Sequence, residues 1–399
     1  MMLVVADDLT GAAEVAAIAW QHGLDMEVCT SVEPTGQAQM LVIDTNTRNL
    51  TSEQASLAMK ILIDSIGSTP GKWLFKKTDS LLRGNIVAEI SVILDRLKMD
   101  RCILAPANPS MGRVIRGGRY YVDGIPLDQT DLADDPLHPT RSSNVLELLG
   151  QVPGVPIRFR SPDRFSGDDR GIVVAQAEDM AQLACWSRLV DNRTLAAGGA
   201  DFFRTVLQRQ AAQSGSAPAQ DLSPRQWPRL FICGSRSAQS HQFLVQARQL
   251  RMPVHLMPAD LTSDPKVSLA AIDRWAGCLL DAIRCHNVAA VGIPRVHTQV
   301  TPMELATRMA ELAYHILSEV DQMELFIEGG NTARAVVDRM GWRRLCILGQ
   351  YGPGVVRMRA IDRQYPHIVL KPGSYVWPQI SLLAQVVSGG LANQREARS

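Results

Sequence analysis

Two adjacent carboxylates, Asp7 and Asp8, follow an apolar run near the start of the chain, in the stretch VVADDLTGAAEVAAIAWQHGL at residues 4–24. An Asp is a common helix N-cap, so one carboxylate at a helix start needs no functional explanation. Only one of the two can occupy the cap, and the other must point elsewhere from the carboxyl end of a strand. In open α/β sheets this is the edge at which ligands bind, and the pair is therefore a candidate ligand-contacting site.

Further polar side chains follow the next predicted strands of the N-terminal half. They are Arg48 in DTNTRNL (44–50), Lys77, Asp79, Ser80 and Arg83 in FKKTDSLLRGN (75–85), and Asn108 in CILAPANPSMGR (102–113). Lysine and arginine suit a carboxylate or a phosphate, and an asparagine amide both donates and accepts. Each loop alone is equally well explained as a solvated surface loop. Because the strands should end at one edge of a sheet, together they predict a site for a small, polar, anionic molecule.

The C-terminal half has glycine-rich and serine-rich turns at its predicted strand ends. They hold Ser235 and Ser237 in ICGSRSAQSHQ (232–242), Gly329, Gly330, Asn331 and Thr332 in IEGGNTARAVV (327–337), Gly354 in LGQYGPGVVR (348–357), and Lys371 and Gly373 in LKPGSYVWP (370–378). Turns that lead into helices bind phosphates through unpaired N–H groups and the helix dipole. Two of them in one domain favour a nucleotide. Neither a P-loop nor a G-x-G-x-x-G motif occurs, so the spacing does not distinguish ATP from another phosphate ligand.

Strand-like runs alternate with helical patterns in both halves, which predicts two α/β domains with mostly parallel sheets. In the first half the strands are expected at 3–6, 40–44, 73–77 and 102–106, with a β-hairpin at 113–126. Residues 211–226 lose all periodicity and collect Ser, Pro, Gln and Ala, as a linker does. We therefore expect domains at 1–215 and 227–399.

Composition excludes several classes of partner. The chain has 399 residues, 46% of them hydrophobic and 20% charged, and a formal net charge of +1, which gives no electrostatic case for nucleic acid or a membrane surface. Its seven cysteines are scattered without a C-x-x-C pair, which favours reduced thiols in a cytoplasm. We expect a cytoplasmic protein and leave its oligomeric state open, with a homo-oligomer as one candidate.

Six segments in matching order together resemble the four-carbon acid sugar kinase family. They are ADDLTGA (6–12), KKTDSLLRGN (76–85), PANPSMGR with YYVDGIPL and DPLHP (106–139), GSRSAQSHQ (234–242), GGNTA (329–333) and LKPGS (370–374). The resemblance implies an N-terminal domain that binds a sugar acid, a C-terminal domain that binds ATP, and an active site in the cleft between them. It therefore implies an ATP-dependent kinase, used with Mg²⁺, for a hydroxyl of threonate, erythronate or an oxo-tetronate.

Under this hypothesis each candidate residue has a role. Asp8 is the expected base or hydroxyl-orienting carboxylate and Asp7 holds the loop or the metal, although the two could be exchanged. Arg48, Lys77 and Arg83 would hold the substrate carboxylate, Asp79, Ser80 and Asn108 would contact the rest of the acid, and the C-terminal residues named above would contact the nucleotide.

Two alternatives to this function stay open. GSRSAQSHQ lacks the Pro-Val-Thr expected after its second serine, and SYVWP after the Lys-Pro-Gly also departs from the family's pattern. These departures leave open a sensor that binds its ligands without catalysis. A dehydrogenase for hydroxy acids is the other alternative.

Overall fold

The computed structural model describes residues 2–31, 38–66, 73–134, 137–210, 218–220, 222, 226–264, 269–295 and 299–378. The chain divides into two compact units, Met1–Pro218 and Ala219–Ser399. Most of the expected linker at 211–226 lies outside the described residues, so the linker and the boundaries 1–215 and 227–399 stay predictions. The cleft between the domains also stays a prediction. Among the described residues, no helix is both long and apolar enough to cross a membrane.

Unit 1 alternates strands with helices. The strands of its main sheet are β1 (Met2–Ala6), β2 (Met26–Cys29), β3 (Met40–Asp44), β4 (Trp73–Lys77), β5 (Arg101–Ala105), β9 (Ile157–Arg160), β10 (Gly171–Ala175) and β11 (Thr194–Gly198), and β6 (Arg113–Arg116), β7 (Arg119–Val122) and β8 (Ile125–Pro126) form a separate small sheet. The helices are α1 (Leu9–Gln21), α2 (Ser52–Ile66), α3 (Ile86–Leu97), α4 (Val145–Leu149), α5 (Met180–Arg188) and α6 (Ala200–Gln210).

The main sheet of unit 1 is parallel, in the order β2-β3-β1-β4-β11-β5-β10-β9. Its strands are buried on both faces, which is why they read as apolar runs and not as alternating patterns. Ala6 at the end of β1 is in register with Asp44 and with Lys77. The carboxyl ends of β1, β3 and β4 therefore meet at one edge, as the sequence predicts.

The small sheet forms where the sequence predicts a hairpin. Strands β6 and β7 pair antiparallel with Arg113 opposite Val122, and β8 extends the sheet beyond the hairpin. The turn between β6 and β7 is the Gly117-Gly118 pair, and both glycines have positive φ. Because a side chain at φ near +60° to +80° is strained, this turn requires residues that tolerate left-handed backbone.

Unit 2 has a mixed sheet. Its strands are β12 (Arg229–Cys233), β13 (Val254–Leu256), β14 (Val288–Gly292), β15 (Glu324–Glu328), β16 (Arg344–Gly352), β17 (Val355–Ala360) and β18 (His367–Lys371), and its helices are α7 (Ala238–Gln249), α8 (Asp260–Ser263), α9 (Leu269–His286), α10 (Pro302–Glu319) and α11 (Gly330–Arg339). In the order β13-β14-β12-β15-β18 the strands are parallel, and β17 and β16 continue the sheet antiparallel. The ends of β12, β15 and β18 therefore lie side by side.

Candidate active site

Asp8 is the N-cap of α1. Its backbone is extended, and its Oδ1 accepts a hydrogen bond of 2.9 Å from the N–H of Gly11 while Oδ2 accepts one of 2.6 Å from the Thr10 hydroxyl. The same Oδ1 also accepts a hydrogen bond of 2.9 Å from Nη2 of Arg48. The carboxylate thus combines the capping role with an ion pair, and the two explanations that the sequence offers are not exclusive.

Arg48 gathers three carboxylates around one guanidinium. It binds Asp7 with two hydrogen bonds of 2.9 Å, binds Asp8 as described, and lies 3.6 Å from Oδ1 of Asp79. Burial raises the pKa of Asp7, but the charge and hydrogen bonds of Arg48 together with the charge of Lys76 outweigh it, so the net pKa lies below its ordinary value. A bidentate pair of this kind is among the strongest of side-chain contacts. Arg48 therefore holds the site's own acids, and its role toward a substrate carboxylate stays a prediction.

The turn after β4 is organised by a second bidentate pair. Arg83 donates hydrogen bonds of 2.8 and 2.9 Å to the two oxygens of Asp79, which also accept from the backbone N–H of Leu81 and of Arg83. Burial raises the pKa of Asp79, but Arg83 and then Arg48 outweigh it and hold that pKa well below its usual range. Gly84 follows at φ +89°, and a Cβ there would lie 3.2 Å from Cγ of Arg48. The glycine thus lets this turn approach the β3 loop.

Lys77 reaches the N-terminal turn of α1. Its Nζ donates to the carbonyl of Thr78 at 3.1 Å and lies 3.4 Å from Oε2 of Glu14. A Cβ on Gly11 would be 2.6 Å from Oδ1 of Asp8 and 3.3 Å from Nζ of Lys77. A side chain at this position would press on the Asp8 carboxylate, so the glycine leaves the space that the carboxylate occupies. Glu14 was missed by the sequence analysis, although a lone acid inside an alanine-rich helix was the available signal.

The preceding lysine points to the opposite face of the sheet, because side chains alternate along a strand. Nζ of Lys76 lies 2.6 Å from Oε2 of Glu89 on α3, and both side chains are fully buried. The hydroxyl of Thr47 donates to the other oxygen of Glu89. This ion pair was not predicted, and it anchors the β3 loop that carries Arg48 to α3.

Ser80 is held by the small sheet. Its hydroxyl accepts a hydrogen bond of 2.5 Å from Nη1 of Arg113, and its carbonyl accepts one from the hydroxyl of Tyr120. Both partners are buried, and burial raises the pKa of Tyr120, so that it stays a donor at neutral pH. The sequence analysis missed Arg113 and Tyr120. They follow Ser80 by 33 and 40 positions along the chain, and no local sequence pattern links residues that far apart.

Asn108 contributes to the fold at the end of β5. Its side-chain oxygen accepts a hydrogen bond of 2.9 Å from the N–H of Asp201 in the first turn of α6. Asp201 in turn accepts from the backbone N–H and the hydroxyl of Ser110, both at 2.9 Å. The carbonyl side of the Asn108 amide is therefore occupied, and a role toward a ligand would fall to its –NH₂ group.

The acidic and basic side chains at the end of β1 and β4 form one connected cluster. The carboxylates are Asp7, Asp8, Glu14 and Asp79, and the cations are Arg48, Lys77 and Arg83. With all seven groups ionised, four negative charges face three positive ones. An anionic ligand is thus not attracted by an excess of positive charge, and must be met by individual donors.

In unit 2, the turn after β12 is a helix N-terminus. Ser237 is the N-cap of α7 and its hydroxyl accepts from the N–H of Ser240 at 3.2 Å. The hydroxyl of Ser235 accepts from the N–H of Ser237 at 3.1 Å. The hydroxyls of both predicted serines therefore order this turn, which leads directly into α7.

The turn after β15 begins α11 at Gly329, which has φ +95°. A Cβ on Gly329 would meet nothing within 4 Å, so the residue borders open space, while its N–H donates to the carbonyl of Lys371 at 2.9 Å. Thr332 lies deeper, since a Cβ on Gly234 would be 1.9 Å from its hydroxyl oxygen. Gly330 and Asn331 complete this first turn of α11.

The turn after β18 meets the other two turns. A Cβ on Gly373 would be 3.6 Å from Oγ of Ser235 and 4.0 Å from Cα of Gly329. The three turns predicted to bind phosphate are thus adjacent. Gly354 is different: it has φ +68°, and a Cβ there would be 2.4 Å from the ring of Tyr375. This face of Gly354 is covered by the tyrosine, which gives the glycine a packing role.

Lys371, which the sequence predicts to be a phosphate ligand, lies buried in unit 2. The side chain is only 1% exposed, and Nζ donates to the carbonyls of Tyr375 at 2.6 Å and Pro372 at 3.1 Å. Nζ also lies 3.4 Å from Oε2 of Glu328. Burial lowers the pKa of Lys371, and the charge of Glu328 acts in the opposite direction. The ammonium thus bonds the backbone of the turn after β18 and faces the carboxylate of Glu328, and its role as a phosphate ligand stays a prediction.

Comparison with known proteins agrees with both units. Residues 2–206 match the family described as the sugar-binding N-terminal domain, and residues 230–375 match the nucleotide-binding C-terminal domain. A D-threonate kinase of Salmonella typhimurium is 26% identical over 390 residues, covering 88% of this chain and 89% of that protein. A 3-oxo-tetronate kinase of Methylobacterium radiotolerans is 23% identical over 404 residues, covering 93% of this chain and 95% of that protein.

A solved structure supports the fold. The crystal structure described as a putative tRNA synthase from Salmonella typhimurium LT2 superposes with a TM-score of 0.73 at 19% identity, covering 96% of this chain and 98% of that one. Fold and matches together define a two-domain α/β protein with a sugar-binding and a nucleotide-binding domain. The chain belongs to the four-carbon acid sugar kinase family. The predicted class, a phosphotransferase for a sugar acid, is thereby confirmed.

Proposed function

We propose that this protein transfers the terminal phosphoryl group of ATP to a hydroxyl of a four-carbon sugar acid of the threonate, erythronate or oxo-tetronate type. The observation that carries the proposal is the paired arrangement of sites. Unit 1 collects carboxylates and cations at the carboxyl edge of its sheet, and unit 2 brings three phosphate-suited turns together. A kinase needs one site for each substrate. The names of the two kinase relatives support the substrate class.

Asp8 is the acid that we assign to the attacking hydroxyl. Its side chain is 10% exposed, against 2% for that of Asp7. It also borders Gly11, as Nζ of Lys77 does. Both oxygens of Asp7 are committed to Nε and Nη2 of Arg48, and we assign Asp7 the role of holding that arginine in place. A carboxylate near the reacting hydroxyl can accept its proton or orient it.

The substrate carboxylate is assigned to Lys77 and Arg83. Arg83 has the most exposed side chain of the three cations, at 22% against 14% for Arg48. Lys77 is more buried but adjoins the acid assigned to the hydroxyl. Ser80, Asp79 and the –NH₂ group of Asn108 would contact the remaining hydroxyls.

The nucleotide phosphates are assigned to the backbone of the three turns of unit 2. Ser235 and Ser237 precede α7, Gly329 to Thr332 form the start of α11 with its N-cap, and Gly373 lies between these two turns.

Mg²⁺ would accompany the phosphates of the nucleotide. In the described part of the chain, no group of three or more His, Cys, Asp or Glu side chains is arranged as a metal site. Asp7, Asp8 and Asp79 are each bound to a guanidinium, so phosphate oxygens and water would supply most Mg²⁺ ligands.

The deciding experiment incubates the purified protein with ATP, Mg²⁺ and each acid of a panel, and follows ADP release. The panel contains D- and L-threonate, D- and L-erythronate and 3-oxo-tetronate, with acid-free and EDTA-treated samples as controls. Acid-dependent ADP formation is the expected result. Saturable binding of ATP and acid without ADP would favour the sensor, and reduction of NAD⁺ by one of the hydroxy acids would favour the dehydrogenase.

A further inference from the structure

A buried ion pair closes the ends of β15 and β18, directly below the turns assigned to the nucleotide. Glu328 is the last residue of β15 and Lys371 the last of β18, and the two are in register in the parallel sheet. Both side chains are at most 1% exposed, with Nζ 3.4 Å from Oε2. The next residues along the chain are Gly329 and Pro372, so each partner begins a turn.

Lys371 connects the two turns through hydrogen bonds. Its Nζ donates to the carbonyls of Pro372 and Tyr375, which fixes the path of the chain around Gly373. Its own carbonyl accepts from the N–H of Gly329, the N-cap of α11. One side chain and one backbone group therefore define how the turn after β18 sits against the turn after β15.

The position of Gly373 depends on this arrangement. A Cβ there would lie 3.6 Å from Oγ of Ser235 and 4.0 Å from Cα of Gly329, so the glycine occupies the narrow space between the other two turns. A shift of the segment from Pro372 to Tyr375 would move it against one of them. Backbone N–H groups bind a phosphate only when they point to one place, and small displacements of such groups are costly.

We propose that Lys371 is a positioning residue that acts on ATP through the turns at Gly329 and Gly373, with Glu328 as the partner that keeps its ammonium in place. This inference rests on the proposed nucleotide site of unit 2. It differs from the role of a phosphate ligand, in which Nζ would contact the nucleotide and Glu328 would compete for it.

The test compares Glu328→Gln, Lys371→Met and the double variant, with the KM for ATP and the KM for the sugar acid measured separately. Glu328→Gln removes the charge while keeping size, and leaves a buried ammonium without its counter-charge. We expect both single variants to raise the KM for ATP about 10-fold while the KM for the acid stays within about twofold. The double variant should raise the KM for ATP by less than the product of the two single effects, because residues in contact are energetically coupled.

A phosphate ligand gives a different pattern. Freeing Nζ from its partner would then leave the KM for ATP unchanged or lower it in Glu328→Gln, while Lys371→Met would still raise it, and that result would overturn the proposal. Should Lys371→Met fail to fold, Glu328→Gln decides alone, provided that its melting temperature lies above the assay temperature.

A matched control lies at the other end of the same strand. Glu324, the first residue of β15, forms a buried pair with Arg357 at 2.8 Å. Glu328 lies four residue steps further along the strand, about 13 Å away. Glu324→Gln should lower the melting temperature but leave the KM for ATP unchanged. If Glu324→Gln raised the KM for ATP as much as Glu328→Gln does, general destabilisation would explain the effect, and the positioning role would be overturned.

The same measurements separate this inference from the proposed function. Wild-type protein is first titrated with ATP in a calorimeter. If ATP does not bind, the proposed function and the positioning role both fail. If ATP binds or turns over in the wild type and Glu328→Gln changes neither its Kd nor its KM, the positioning role alone is refuted.

Discussion

Replacing Asp8 by asparagine removes a negative charge from the cluster in unit 1 while keeping the size and shape of the side chain. The Asn oxygen can still accept from the N–H of Gly11, since asparagine caps helices as well as aspartate does. Arg48 keeps both of its hydrogen bonds to Asp7. What is lost is a carboxylate able to accept a proton from a substrate hydroxyl.

The expected loss of stability is therefore small. The hydrogen bond from Arg48 is kept with a neutral acceptor in place of a carboxylate, which costs about 1 kcal/mol. For a domain of this size, that lowers the melting temperature by about 2–4 °C. Turnover should fall much further, by about 10²–10⁴-fold, the typical contribution of a positioned acid or base. Initial rates of ADP release and thermal unfolding of the same preparation measure both quantities.

Asp7→Asn is the matched control for this variant. It weakens two bonds to Arg48 in place of one, at about 1.5–3 kcal/mol for a hydrogen bond to a charged group, so it should lower the melting temperature more than Asp8→Asn does. Its turnover should fall less. Near-normal turnover in Asp8→Asn would refute the catalytic role and leave helix capping as the explanation. A larger loss of turnover in Asp7→Asn would exchange the two roles.

Three further outcomes are expected. Lys77→Met should raise the KM for the sugar acid about 10- to 100-fold and leave that for ATP unchanged, because one charge-assisted contact is lost; an unchanged acid KM in steady-state assays would remove Lys77 from the substrate site. Gly329→Ala should raise the KM for ATP, since a side chain at φ +95° is strained, and equal ATP affinity by calorimetry would contradict the assignment of this turn. Asp79 has a folded-state pKa well below its ordinary value of 3.8, so its contribution to stability is present above about pH 5 and is lost as the pH falls toward the folded pKa. Asp79→Asn should therefore be less stable than the wild type at pH 7, with the gap in melting temperature narrowing toward pH 3; a constant gap would show that the ion pair is not its cause.

The elements of the fold could be predicted from the sequence because their signals are local. The strands at 40–44 and 73–77 were expected at the positions where β3 and β4 form. Apolar runs, helical periodicity and turn residues are properties of short windows. Strand order is not such a property. β11 lies between β4 and β5 in the sheet although it begins 89 residues after β5 ends, a separation that no local window of sequence spans.

The sequence by itself determined that polar and charged side chains of unit 1 collect at one sheet edge, because parallel strands that alternate with helices end on the same side. Tertiary structure alone decided their partners. Arg48 was expected to hold a substrate carboxylate and instead binds Asp7 and Asp8. Lys371 was expected at a phosphate and instead lies buried against Glu328. Whether a charged side chain at a strand end faces solvent or the interior depends on strand register and on packing from distant segments, and these are fixed only when the chain has folded.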